Sequence, residues 1–211
     1  MQETVLYDYW RSSASYRVRI ALNLKNVPFR IEPTSLLAGE HRTPEYLAKN
    51  RQGFVPLLAI DGLELTQSLA IIDYLDANFP DPPMVSPDPA TRSKTLALAL
   101  AFAADTHPLH NLRVTKYLKE QMGQDDAAVT AWTHHWQTEG LAVLEAHAPQ
   151  TGTFGGDAPN MTDVVLVPQI YSARRFAVPL DRFSQLVRID AALTVLPAFA
   201  AAHPDRVRPP E

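Results

Sequence analysis

The chain has 211 residues, a formal net charge of −4 and an ordinary globular composition, 46% hydrophobic and 20% charged. That length allows one large domain or two small ones, and the mild acidity gives no ground for a nucleic-acid or anionic-membrane partner. There is no cysteine, which excludes disulfides, cysteine-ligated metals and any thiol nucleophile of the protein's own, and fits a reducing compartment. Met1-Gln2-Glu3-Thr4 opens without a basic region or a long apolar stretch, and the longest apolar run, residues 96–104, is too short to span a bilayer. The expected location is therefore the cytoplasm. Arginines outnumber lysines among the 19 basic residues, which suits carboxylate binding and equally suits a codon bias.

Residues 4–33 read as strand, helix, strand: Val5-Leu6-Tyr7, residues 15–24, then Phe29-Arg30-Ile31 after the break at Asn26-Val27-Pro28. This is a βαβ unit with parallel strands. In its helix Val18, Ala21, Leu22 and Lys25 recur at i, i+3, i+4, i+7, so one face is mostly apolar. Arg11-Ser12-Ser13-Ala14-Ser15 leads into that helix, with serines where an N-cap belongs. Unpaired N–H groups, the positive end of a dipole and hydroxyl donors together can hold an anion, and a thiolate is an anion. Taken alone, the serines read as simple capping. A short helix is expected from Thr43-Pro44. Residues 52–60 run through a short apolar strand into Asp61-Gly62, a hairpin signal, and Leu63-Glu64-Leu65 follows. Gln67-Ser68 opens a helix with Ile72, Leu75 and Phe79 on one face. This order, β-α-β then β-β-α, resembles a thioredoxin fold with a mixed sheet.

Residues 80–91 carry prolines at 80, 82, 83, 87 and 89 and read as a linker. Strand signals then vanish. Helices are expected at 90–122, 126–147, 161–176 and 187–202, with Pro108 kinking or interrupting the first. Asn160 with Asp163 reads as a variant capping box. The expected plan is an α/β domain over 1–80, a Pro-rich linker over 81–90 and an all-α helical domain over 91–211.

Four places could carry chemistry. Val55-Pro56 sits between a loop and a strand, where a cis proline would leave the preceding backbone open to a peptide ligand, although spacing alone favours trans. Gln67-Ser68 offers N–H groups, a hydroxyl and an amide that could take an α-carboxylate and an ammonium; alone, it reads as capping. His107, Asn111 and, less closely, Arg113 share a helix face in an unusually polar stretch beside Pro108. Arg174-Arg175 ends a helix, where the macrodipole already favours cations. No metal site is expected: His107 and His110 lack an acidic third ligand in register, and His134 and His135 face different ways.

Together these segments resemble the zeta class of glutathione transferases, which includes maleylacetoacetate and maleylpyruvate isomerases. The resemblance runs through residues 11–22, 52–56, 67–72, 107–113 and 166–176, nearly the whole chain. It implies the glutathione transferase fold, a thioredoxin-like domain followed by a helical domain, usually as a homodimer. It implies glutathione as cofactor, with Ser12 on the sulfur, Val55 backbone groups on the cysteinyl part, Gln67 and Ser68 on the γ-glutamyl end, and Gln52 and His41 toward the glycyl end. It further implies cis–trans isomerisation of a maleyl keto acid, a dicarboxylate, in aromatic catabolism. Arg11 and Arg175 would then clamp carboxylates, while His107, Asn111 and Arg113 line the cavity or orient the cofactor. The alternative is another glutathione transferase or thioether lyase acting on an aromatic electrophile. Ala14 stands where family members typically have cysteine, and Tyr16 where they often have tryptophan. The first departure argues against reductive dehalogenation, which needs that thiol, and tilts the reading toward the maleylpyruvate branch.

Overall fold

Alternation along β1 (Val5–Asp8) puts Leu6 and Asp8 on one face of a sheet and Tyr7 on the other. In the computed structural model, which describes residues 3–209, this strand is one of the two inner strands of a four-stranded sheet ordered β2-β1-β3-β4. Met1, Gln2, Pro210 and Glu211, the outer ends of the two expected domains, lie outside the described residues. β2 (Arg30–Pro33) pairs parallel to β1, as a βαβ unit requires, and β3 (Leu57–Ile60) pairs antiparallel to β1 with Leu6 opposite Leu58. β3 turns into β4 (Leu63–Thr66) through Asp61 and Gly62, at φ 51° and 79°. Both residues are left-handed, which is the backbone that an Asp-Gly hairpin turn demands. On one side of the sheet Tyr46, Val55 and Leu57 form a cluster, with Tyr7 edge-on to Tyr46.

The chain divides into two compact units. One holds the residues up to Pro83 together with those from Val195 onward, the other Met84–Thr194. In the first, α1 (Ser13–Leu24) packs against α3 (Ser68–Asn78) and α10 (Pro197–Ala202). Its environment differs from the one-sided burial that its apolar spacing suggests. Every residue from Ser15 to Leu22 is buried, Arg17 and Arg19 included, because elements cover the helix on several sides. Arg19 is a hub. Its Nη1 meets Asp8 Oδ2 at 2.6 Å, its Nε donates to Ala202 O at 2.9 Å, and its Nη2 donates to Trp10 O at 3.1 Å. Asn23 adds a second tie, Nδ2 to Ala198 O at 2.9 Å. A short α11 (Pro204–Val207) ends this unit's regular structure.

The second unit begins with α4 (Pro89–Leu100), capped by Asp88 with Pro89 in the first turn. The single helix expected over 90–122 is broken. A π-helical turn at Ala101–Thr106 leads into α5 (His107–His110), and Asn111 is extended, capping α6 (Leu112–Glu120). Pro108 has no N–H for a regular ladder, and the Asn111 side chain accepts from Val114 N–H, a local alternative that ends one helix and starts the next. α7 (Asp126–His147) and α8 (Met161–Arg175) follow the expected spans closely. α8 opens with the expected capping box: Asn160 accepts from the Thr162 and Asp163 N–H groups, and Asp163 accepts from Asn160 N–H. The helix expected over 187–202 is two, α9 (Ser184–Thr194) and α10, separated by an extended Leu196 before Pro197. Among the described residues no helix is long and apolar enough to cross a membrane.

The Asp8–Arg19 pair is buried on both sides, so removing one partner strands a charge. Asp8→Ala is expected to cost about 3–5 kcal/mol, read as a lower urea midpoint. A change within about 0.5 kcal/mol, the range of ordinary surface substitutions, would show that the pair contributes nothing.

Candidate functional site

The first unit holds seven of the predicted residues: six at two helix starts and the loop before β3, and His41 in a turn before α2. Ser12 is half-buried and is the N-cap of α1, with its Oγ accepting from Ser15 N–H at 3.2 Å. Capping and anion binding are compatible here. The hydroxyl uses a lone pair for the cap and keeps its own proton to donate. Arg11 is exposed, and its guanidinium lies 4.3 Å from the centre of the Trp10 ring. Arg208 approaches the same ring at 5.2 Å.

The loop before β3 is held from several sides. Asn50 Nδ2 and Tyr46 Oη both donate to Phe54 O, at 2.9 and 2.6 Å, and Asn50 Oδ1 accepts from Gln52 N–H at 3.0 Å. Burial pushes the Tyr46 hydroxyl up to about 12, so it stays a donor throughout the physiological range. Gly53 has φ +60°, and a Cβ there would sit 2.9 Å from both His41 O and Arg42 Nη1. The Val55–Pro56 peptide is cis, against the trans geometry that spacing favours. Sheet pairing begins at Leu57, so the Val55 backbone lies outside the ladder. His41 sits in a 3-10 turn, Glu40–Arg42, just before α2 (Pro44–Lys49).

Gln67, the N-cap of α3, has φ 67° and ψ 112°, an expensive backbone for a residue with a side chain. Its amide does not cap the helix. Nε2 donates instead to Gln52 Oε1 at 2.9 Å. The next residue, Ser68, is buried, and its Oγ accepts from Arg17 Nη1 at 3.3 Å. The structure thus joins Gln52 to Gln67 and places a buried guanidinium behind Ser68. Strain at a helix start with unused N–H groups is characteristic of a ligand clamp.

The other predicted residues belong to the helical unit. His107 and Asn111 do not share one helix face, because α5 ends at His110 and Asn111 caps α6. Arg113 is exposed on α6. Arg175 is exposed at the end of α8, its guanidinium 4.2 Å from the Phe176 ring centre, while Arg174 pairs with Asp190 at 2.6 Å. A groove of about 580 Å³ between α6 and α7 is lined by Thr115, Lys119, Val129, His134 and Phe176 among others, and by none of the predicted residues.

A family model described as "Glutathione S-transferase, N-terminal domain" matches residues 6–83. The maleylacetoacetate isomerase of Rhizobium meliloti (strain 1021) is 50% identical over 210 residues, 98% of this chain and 99% of that protein. The chain belongs to the zeta class of the glutathione transferases. Among solved structures, a holo maleyl pyruvate isomerase of this class is 38% identical, with a TM-score of 0.95 over 98% of this chain and all of the other. The maleylacetoacetate isomerase of Anaeromyxobacter dehalogenans 2CP-1, with dicarboxyethyl glutathione and citrate bound, is 36% identical at TM-score 0.86 over the full length of both.

In this zeta-class chain, sequence reasoning passed over three residues around the helix starts. Arg17 and Arg19 are two apart, so they lie about 100° to either side of the core residue Val18, which was a signal that neither points straight to solvent. Arg208 near Trp10 had no local signal, since that contact depends on the chain's return. Among the described residues no group of three or more His, Asp or Glu side chains could hold a metal ion.

Gly53→Ala is expected to cost about 1–3 kcal/mol in urea unfolding, because the left-handed backbone and the close His41 carbonyl leave no relaxed place for a methyl group. A cost below about 0.5 kcal/mol would mean that the loop is not pinned.

Proposed function

We propose that this chain catalyses the glutathione-dependent cis–trans isomerisation of a maleyl keto acid, maleylpyruvate or maleylacetoacetate, to its fumaryl form. The observation that carries the proposal is the pairing of an activated helix start with an absent thiol. Ser12 caps α1 while keeping a proton to donate, and the chain has no cysteine to fill that place itself. Bound glutathione supplies the thiolate that adds to the conjugated double bond and leaves again after rotation about the resulting single bond.

The residues fit that tripeptide. Ser12 and the first N–H groups of α1 favour an ionised sulfur, because they donate hydrogen bonds and lie at the positive end of the dipole. The Val55 backbone outside the ladder suits a peptide, and the Gln52–Gln67 pair with Ser68 suits a γ-glutamyl head, with His41 toward the glycyl end. Arg11 and Arg175 are assigned to the substrate carboxylates, where a guanidinium fork binds in a bidentate way. His107, Asn111 and Arg113 are assigned to cofactor orientation or the substrate cavity. The dicarboxyethyl group and the citrate carried by a full-length relative support a dicarboxylate substrate. A cytoplasmic homodimer serving aromatic catabolism completes the proposal, in line with the family resemblance.

The test is turnover of both maleyl substrates with and without glutathione. Isomerisation that depends on glutathione supports the proposal, and equal rates in its absence end it. Ser12→Ala is expected to raise the pKa of bound glutathione by about 1–2 units, the equivalent of a lost hydrogen bond to a charged acceptor. Ultraviolet titration of the thiolate reads this directly, and an unmoved curve removes Ser12 from the sulfur.

A further inference from the structure

Arg17 and Arg19 are both buried on α1, and their partners differ sharply. Arg19 is matched by a carboxylate and two carbonyls. Arg17, only 1% exposed, makes a single hydrogen bond, to Ser68 Oγ, and its Nε and Nη2 have no partner among the described residues. Burial pulls its guanidinium down to about 10, and among the described residues no carboxylate pulls it back up. A desolvated, unpaired cation is costly to keep. Beside it lies the start of α3, whose N-cap Gln67 makes no side-chain cap bond and whose first turn has no acidic residue. The first intrahelical bond, Ile71 N–H to Gln67 O, leaves the earlier N–H groups available to a ligand.

We propose that Arg17 is a positioning residue for the α-carboxylate of the ligand's γ-glutamyl head. By donating to Ser68 Oγ it turns that hydroxyl's proton outward, and it sets buried positive charge behind the α3 N-terminus, so that the arriving carboxylate completes the charge balance. The inference rests on the glutathione reading above and adds to it a residue that does not touch the ligand. Two consequences follow that pure packing would not produce. The benefit of Arg17 is confined to ligands that carry that carboxylate, and the free protein is less stable for having it.

Calorimetric titration of wild type, Arg17→Met and Arg17→Lys tests this with two ligands: glutathione, and its analogue with the γ-glutamyl α-carboxylate converted to a carboxamide. Arg17→Met is expected to weaken glutathione about tenfold or more, leave the carboxamide within about twofold, and not lower the melting temperature of the free protein. Arg17→Lys, which keeps the charge, should recover part of the glutathione loss. If Arg17→Met does not fold, Arg17→Gln keeps a donor for Ser68 without the charge and should show the same selective loss. Unchanged glutathione affinity, or equal losses for both ligands, in whichever neutral variant folds overturns the inference and leaves the functional reading intact. Wild-type protein that binds neither ligand overturns both.

Discussion

The buried guanidinium of Arg19 holds the first unit in the form that its chemistry needs. One side chain ties the end of β1 through Asp8, the turn before α1 through Trp10 O, and the returning C-terminal helix through Ala202 O. The residues between β1 and α1 include Arg11 and Ser12, so the Ser12 cap lies in a connection that the Arg19 guanidinium ties at both Asp8 and Trp10. Placing a charge in the core is expensive. It is tolerated because each nitrogen of this guanidinium donates to an acceptor, and the result is a stiff connection where a loose strand-to-helix turn would otherwise be expected.

The same helix carries the opposite case at Arg17. Two turnings of one backbone put a fully matched cation and an almost unmatched one within two residues. Near the unmatched one, Gln67 holds a left-handed backbone, and its amide is committed to Gln52 rather than to its own helix. Strain and unpaired charge collected in one place are costs that folding alone does not repay. They are the form that pre-organisation takes when a ligand supplies the balancing interactions.

The proposed chemistry asks for little that the protein must do covalently. A borrowed thiol does the bond making, and the chain's tasks are to keep that thiol ionised, hold its peptide, and receive carboxylates. Ala14 in place of the family cysteine is consistent with this division of labour, since isomerisation returns the thiolate unchanged and calls for no second sulfur. The interior of the helical unit is not uniformly apolar: buried Gln169 meets both Gln137 Oε1 and the His110 ring through its Nε2.

What could be read from residues alone was whatever closes within a few positions. Ser12 at the start of α1, the short helix from Thr43-Pro44, the Asp61-Gly62 turn and the Asn160–Asp163 capping box each depend on neighbours within three or four residues, and each stands in the structure, as does the βαβ order that the alternation of strand and helix signals suggested. Family likeness extended that to the glutathione transferase fold. Tertiary structure decided what depends on distant partners. The burial of Arg17 and Arg19 needed α3 and α10 to pack over a helix that looks one-sided in sequence. The return of residues 195–209 to the first unit brings Ala198 and Ala202 as acceptors to Asn23 and Arg19. The backbone of Gln67 is set by its junction between β4 and α3, not by its own preference. Short-range hydrogen bonds are written in adjacent letters, whereas burial and charge pairing exist only once remote segments meet.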